Sequence, residues 1–213
     1  MKIQCYLFDM NGTVRDDLLA TYRSTNDVLG EFGMKPISMH TYRQTDETDF
    51  WQLYHSLGFK DSDRPGVGEL FKKYFHARHE SLVRAFPGVA GTVQELKRRG
   101  CVVGIVSNMR HERLDYHIEE CGLTGLVDVR VGKGDTVEDK PSPQPLLEAF
   151  RRLGISPEHG SYTGDKVTDI EAAHAANTVA IAITHRGAYH TEKMLREAAP
   201  DRIIRKFSSL LYF

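Results

Sequence analysis

Short apolar runs alternate with amphipathic segments along most of the chain. The run Cys5 to Phe8 is apolar throughout and stops at a carboxylate, Asp9, with Gly12-Thr13 close behind. Val102 to Val106 runs into Ser107-Asn108, and Gly160 to Thr163 runs into Gly164-Asp165, with Asp169 four residues on. Further strands are predicted at Val127 to Val131 and Thr178 to Ile183. Between them, helical spacing predicts helices at Val93 to Arg99, Glu112 to Cys121, Leu146 to Leu153 and Ile170 to Ala176. Apolar strands alternating with amphipathic helices predict an α/β fold, a Rossmann-like, doubly wound parallel sheet covered on both faces.

Residues 15 to 83 read differently. Leu18, Leu19, Tyr22, Val28, Leu29 and Phe32 recur at helical spacing from Asp16 to Phe32, and Gly33 supplies a stop. Ser38 and Asp46 are candidate N-caps for two more helices, the second ending near Gly58. After an expected loop from Lys60 to Gly66, a helix from about Gly68 to Val83 carries Leu70, Phe71, Tyr74, Phe75 and Leu82. No strand signal interrupts this stretch. It is expected to form a separate α-helical cap, residues 15–83, inserted into a core made of residues 1–14 and 84–213.

In one parallel sheet, the carboxyl ends of the strands before Asp9, Ser107 and Asp165 share an edge, which is where open α/β sheets place their ligands. Lys140, within Asp139-Lys140-Pro141-Ser142-Pro143, lies in a loop that can reach that edge, because proline neither continues a helix nor donates to a ladder. A carboxylate, a hydroxyl, an ammonium and an acidic pair suit phosphoryl transfer. Asp can accept a phosphoryl group. Mg²⁺ prefers one or two carboxylates with phosphate oxygens and water, and the lysine and hydroxyl would meet charge building on the phosphoryl oxygens.

With these four ordered stretches, the return at Phe86-Pro87-Gly88-Val89 and the closing Ala199-Pro200-Asp201-Arg202-Ile203-Ile204, the chain resembles the haloacid dehalogenase superfamily of hydrolases, in its phosphoglycolate-phosphatase-like branch with a helical cap. The resemblance covers nearly all 213 residues. It implies Asp9 as nucleophile and Mg²⁺ ligand, with the backbone carbonyl of Asn11 on the metal. It implies Asp165 as a further ligand, and Asp169 as one directly or through water. Ser107, with Asn108 nearby, would hold the phosphoryl group, Lys140 would neutralise nucleophile and phosphate, and Met10 and Asn11 would adjoin the substrate. The implied partner is a small phosphate monoester, on a monomer or homodimer.

One residue departs from the pattern. Phosphatases of this superfamily carry Asp two residues after the nucleophile, where it protonates the leaving oxygen and then deprotonates the attacking water. Asn11 has no titratable proton near neutral pH, and losing a positioned acid and base lowers rates by about 10² to 10⁴. Four readings follow: a phosphatase in which an Asp was replaced by design, a natural phosphatase with slow or redirected turnover, a haloacid dehalogenase whose halide leaves unprotonated, and a pseudo-phosphatase that binds a phosphorylated ligand. The acidic pair at Asp165 and Asp169 tells against the dehalogenase, which needs no Mg²⁺. Substrate choice is expected to lie in the cap, where the loop from Gln44 to Thr48 has Thr45 near a place usually held by glycine.

Other polar residues receive plainer readings. Arg15, Arg43 and Arg78 are read as solvated surface arginines rather than anion contacts. His76 and His79, three apart on one helix face, are read as surface or packing residues. His111 is retained as a candidate replacement proton donor. The net charge of −1, without a basic block, gives no sign of a nucleic-acid surface. A hydrophobic content of 40% without a long apolar run gives no membrane span. The first strand begins with no charged leader or cleavage site before it, and Cys5, Cys101 and Cys121 lack metal-type spacing. A cytoplasmic protein with buried thiols is therefore expected.

Overall fold

Strand β1 (Cys5–Phe8) is flanked by two parallel neighbours, β4 (Val102–Arg110) and β6 (Gly160–Gly164), in a computed structural model that describes residues 3–44 and 50–213. With β5 (Val129–Lys133), β7 (Val179–Ile183) and β8 (Arg202–Ile204), they form one six-stranded parallel sheet in the order β5-β4-β1-β6-β7-β8. From β1 the chain moves to β4 and β5 on one side, then crosses back to β6, β7 and β8 on the other. The switch point therefore falls at the carboxyl end of β1.

Alternation along the strands divides the interior in two. Tyr6 and Phe8 join Val103, Ile105, Ile181 and Ile183 on one face, packed by Val89, Val93 and Leu96 of α5 (Val89–Arg98) and Leu114 and Ile118 of α6 (His111–Glu120). Cys5 and Leu7 join Val129, Val131, Tyr162, Ala180 and Ala182 on the other. There they meet α7 (Gln144–Leu153), α8 (Val167–Ala175) and α9 (Glu192–Glu197) through Leu146, Phe150, Ile170 and Leu195. A strand whose two faces are both covered must be apolar at every position, and that is why Cys5–Phe8 shows no polar alternation.

The chain divides into two compact units, Met1–Asp16 with Arg84–Phe213 and Asp17–Val83. The second consists of α1 (Leu18–Glu31), α2 (Met39–Gln44), α3 (Phe50–Ser56) and α4 (Arg64–Leu82). Val28 and Leu29 of α1, Trp51 and Tyr54 of α3, and Val67 of α4 form its own core, with Phe59 between them. Gly33 ends the first helical segment with φ +69°, and the Ser38 hydroxyl accepts from the Thr41 amide at 3.0 Å as an N-cap. Asp46 and the rest of the segment from Thr45 to Thr48 lie outside the described residues.

The structure corrects the sequence reading at several elements. The expected loop at Lys60 to Gly66 is a 3₁₀ turn at Asp61–Asp63 leading into α4, which begins a turn early at Arg64. Pro65 suits a first helical turn, and fully buried Val67 anchors a segment that its two glycines had disguised as a breaker. A two-stranded antiparallel ladder of β2 (Arg15–Asp16) and β3 (Arg84–Ala85) also escaped notice, as did β8. Two polar residues carry no period-two pattern, so nothing in Arg15–Asp16 announced a strand. Among the described residues no helix is long and apolar enough to cross a membrane.

Candidate active site

Parallel register sets the first distances. Phe8 lies beside Ile105 on one side and Thr163 on the other, and the Asp9 amide continues the ladder to the Thr163 carbonyl at 3.0 Å. Asp9 thus emerges at the level of Val106 in β4 and of Gly164 at the end of β6. Ser107 follows the carbonyl of Val106 in β4, and Asp165 follows directly on β6. All three are buried, with Asp9 and Ser107 only 6% and 7% exposed.

Lys140 closes the constellation from its loop. Asn108 holds that loop by a reciprocal pair, its Nδ2 donating to the Lys140 carbonyl and its Oδ1 accepting from the Lys140 amide, both at 2.9 Å. The Lys140 ammonium then donates to Asp9 Oδ1 at 2.9 Å and Asp169 Oδ1 at 2.7 Å, with the Tyr162 hydroxyl as a third partner. Tyr162 in turn donates to the Val106 carbonyl at 2.8 Å. Every proton of the ammonium therefore has an acceptor, as burial of a charge requires.

Two glycines make room for the two later carboxylates. A Cβ on Gly12 would stand 2.2 Å from Asp165 Oδ2, and Gly12 also has φ +77°. A Cβ on Gly164 would stand 2.2 Å from Asp169 Oδ2. In the space so kept, Asp165 accepts from the Thr13 hydroxyl at 2.9 Å and the Tyr189 amide at 2.6 Å. Asp169, in the first turn of α8, accepts from the Lys166 amide at 2.9 Å and so caps that helix while facing Lys140.

The electrostatic balance is uneven. Burial raises the Asp9 carboxyl, and Asp169 adds to that, against the pull of Lys140. Asp165 is pushed well above the carboxylate range by burial and by the charges of Asp169 and Asp9. Burial alone would lower Lys140, but Asp169 and Asp9 outweigh it and hold the ammonium above its ordinary value. One buried ammonium thus pairs with two of three buried carboxylates. Their oxygens lie within 4.8 Å of one another. An all-oxygen donor set of this kind fits a hard divalent cation such as Mg²⁺, and the raised Asp165 marks like-charge crowding that a cation would relieve.

The structure brings Asp9, Asp165 and Asp169 within reach of one another, sets Lys140 on Asp9 and Asp169, and joins Asn108 to Lys140. Met10 is different: its side chain is fully buried in the apolar cluster under α5, so only its backbone is available to a substrate. Asn11 begins a tight turn in which the Gly12 amide donates to the Arg15 carbonyl at 2.8 Å and the Arg15 amide to the Met10 carbonyl at 2.9 Å.

Among the secondary candidates, Arg15 is not a surface arginine. It is 1% exposed and donates to Glu120 at 2.8 Å and to Asn11 Oδ1 at 3.4 Å. Arg78 pairs with Asp27 within the helical unit, His76 is exposed and His79 half-buried. His111 is engaged elsewhere, its Nδ1 at 2.9 Å from Asp135, which also accepts from the Gly132 amide and Arg152. Tyr162 and Tyr189 were missed from sequence. Tyr162 gave a faint signal, being a hydroxyl-bearing residue in an otherwise small-residue strand that ends at Asp165. Tyr189 acts through its backbone, which leaves no trace in residue type.

Comparison with known proteins agrees with this geometry. The haloacid dehalogenase-like hydrolase family matches residues 6–183. Pyrophosphatase PpaX of Bacillus cereus (strain AH820) is 30% identical over 221 aligned positions, covering 99% of this chain and 96% of that protein. A solved structure described as a predicted phosphoglycolate phosphatase from Haemophilus somnus 129PT superposes with TM-score 0.84 at 20% identity, over 100% of this chain and 98% of that one. A haloacid dehalogenase-like family hydrolase from Streptococcus pneumoniae superposes with TM-score 0.83 at 18% identity, over 99% and 98% of the two chains. The last two establish likeness of fold, and the match over most of the chain establishes descent: this chain belongs to the haloacid dehalogenase-like hydrolase family.

Proposed function

We propose that this chain is a Mg²⁺-dependent phosphatase of small phosphate monoesters that works through an aspartyl phosphate on Asp9, and that Asn11 makes its turnover slow. The observation that carries this reading is the Lys140 ammonium shared by Asp9 and Asp169, with Asp165 alongside. Asp9, Asp165 and Asp169, with the Asn11 main-chain carbonyl, would hold Mg²⁺. When bound, that ion supplies positive charge to phosphoryl oxygens and lowers the self-repulsion of the carboxylates.

In the first half of the reaction an Asp9 carboxylate oxygen forms a bond to phosphorus as the ester P–O bond breaks and the alkoxide departs with its electron pair. Lys140 and Ser107 stabilise the phosphoryl oxygens through that transfer. In the second half water attacks phosphorus, inorganic phosphate leaves and the Asp9 carboxylate is restored. The alkoxide needs a proton and the water must lose one. An amide at residue 11 provides neither, so both halves depend on solvent or on a leaving group that departs as an anion.

The names of relatives support phosphate chemistry, pyrophosphate included. Asp165 and Asp169, gathered beside the Asp9 nucleophile, have no task in a halide displacement, which tells against the dehalogenase reading. We further propose that the helical unit Asp17–Val83 acts as the cap that selects the substrate. The three free, buried cysteines suit a reducing, cytoplasmic setting.

The test compares the protein with Asn11→Asp on a panel of phosphate monoesters and inorganic pyrophosphate, with and without Mg²⁺. Mg²⁺-dependent phosphate release should rise by about 10² or more in the variant. Phosphate release from neither protein, with halide release from a 2-haloacid, would overturn the proposal.

A further inference from the structure

The turn that follows Asp9 carries a buried ionic chain that ends on the residue where the site departs from its family. His117 Nδ1 lies 3.1 Å from Glu120 Oε2, which accepts from Arg15 Nε at 2.8 Å, and Arg15 NH1 donates to Asn11 Oδ1 at 3.4 Å. Glu120 and His117 project from the last turn of α6, and Arg15 begins β2, so one end of the chain is fixed to a helix and the other to the two-stranded ladder of β2 and β3. The backbone turn from Met10 to Arg15 brings residues 11 and 15 side by side as a bridge. The Arg15 side chain is 1% exposed and that of Glu120 17%, so the arginine is buried with its counter-ion beside it.

A guanidinium has five donors and no acceptor. Whatever faces it on an amide side chain must therefore be the oxygen, which settles an orientation that an isolated asparagine leaves open. With Oδ1 turned to Arg15, the NH₂ end is left over, and no described residue accepts from it. A carboxylate at residue 11 would present an acceptor on both sides; an amide presents an acceptor to Arg15 and a donor to whatever lies opposite.

We propose that Arg15, anchored by Glu120, is a positioning residue that fixes the Asn11 amide so that residue 11 serves the active site as an oriented hydrogen-bond donor to an anionic oxygen. This rests on the phosphatase reading for its catalytic consequence, but the orientation itself does not. A freely rotating amide would lose side-chain entropy each time it met a phosphoryl oxygen; one held by Arg15 is already in place.

Removing Arg15 alone would strand the Glu120 carboxylate, so the pair is removed together as Arg15→Leu/Glu120→Leu. Two readouts are taken. The first is a double-mutant cycle on turnover of an aryl phosphate with Mg²⁺. The paired change should lower kcat by about three- to tenfold with KM little altered, and should have no further effect in an Asn11→Ala background. An equal loss in both backgrounds would show a merely structural role and overturn the proposal. The second is the NMR signal of the Asn11 side-chain NH₂, assigned by its absence in Asn11→Asp. It should be shifted and well dispersed in the unaltered protein and move toward free-amide values in Arg15→Leu/Glu120→Leu; an unmoved signal would overturn the proposal. Because the NMR readout needs no turnover, it decides the matter even if the phosphatase reading fails.

Discussion

Two buried polar clusters meet at the first strand's end, and they differ in charge. Around Lys140, Asp9 and Asp169 share one buried ammonium with Asp165 alongside, and burial with mutual repulsion raises Asp9 and Asp165. Around Arg15, a guanidinium is paired with the Glu120 carboxylate and faces the neutral Asn11 amide. The first cluster is short of positive charge and is built to receive it. The second is balanced without any visitor, and its last member, Asn11, can give a hydrogen bond but not a proton. On the proposed function, the site thus combines a phosphate-accepting half with a half that cannot shuttle protons.

The largest predicted effect is on the charge-poor cluster. On the proposed mechanism Asp9→Ala removes the atom that bonds to phosphorus, and phosphate release should fall to the level of buffer while circular dichroism stays that of the folded protein. Turnover surviving that change would break the comparison at its root. Lys140→Met should both abolish activity and destabilise the fold by about 3–5 kcal/mol in urea unfolding, because it leaves buried carboxylates without their counter-charge. An unchanged midpoint would show the lysine to be dispensable to the fold.

Gly12→Ala should come next. Its methyl would collide with Asp165 and its backbone sits at φ +77°, so a loss of about 1–3 kcal/mol is expected, with weaker Mg²⁺-dependent thermal stabilisation. An equal gain in melting temperature with Mg²⁺ in both proteins would separate the glycine from the metal.

The smallest effect concerns pH. The Asp165 carboxyl is raised in the fold above its unfolded value near 3.8, so the folded state binds that proton more tightly than the unfolded state. Its contribution to stability is full below that unfolded value and is lost as pH rises through the folded one. Without metal, stability should therefore decline with rising pH across that window. Mg²⁺ should flatten the decline and release protons on binding. A metal-free protein whose Asp9→Asn and Asp165→Asn variants show the same pH slope would contradict the carboxylate crowding.

The fold was legible because β1 and the first half of β4 are apolar runs, and β6 a short run of small residues around Tyr162, each leading into a polar residue, a local pattern fixed by burial on both faces. The positions of Asp9 and Asp165 were legible for the same reason, each standing just beyond a strand's carboxyl end, with Asp169 following in the first turn of α8. Arg15 was not. Its partner Glu120 is 105 residues away, and no local periodicity distinguishes a buried, paired arginine from a solvated one. Tyr189 reaches Asp165 through its main chain, and Met10 turned inward because β1's alternation runs one step past the strand. Composition cannot report any of the three.

The central claim is that Asp9 becomes phosphorylated and that Asn11 delays its release. An aryl phosphate, whose leaving group departs without a proton, should give with Mg²⁺ a rapid burst of about one aryl alcohol per chain followed by slow turnover. Intact-protein and peptide mass spectrometry should then find one phosphoryl group on Asp9, and Asn11→Asp should erase its accumulation. Steady phosphate release from the first turnover, with Asp9 never modified and Asp9→Ala equally active, would contradict the account.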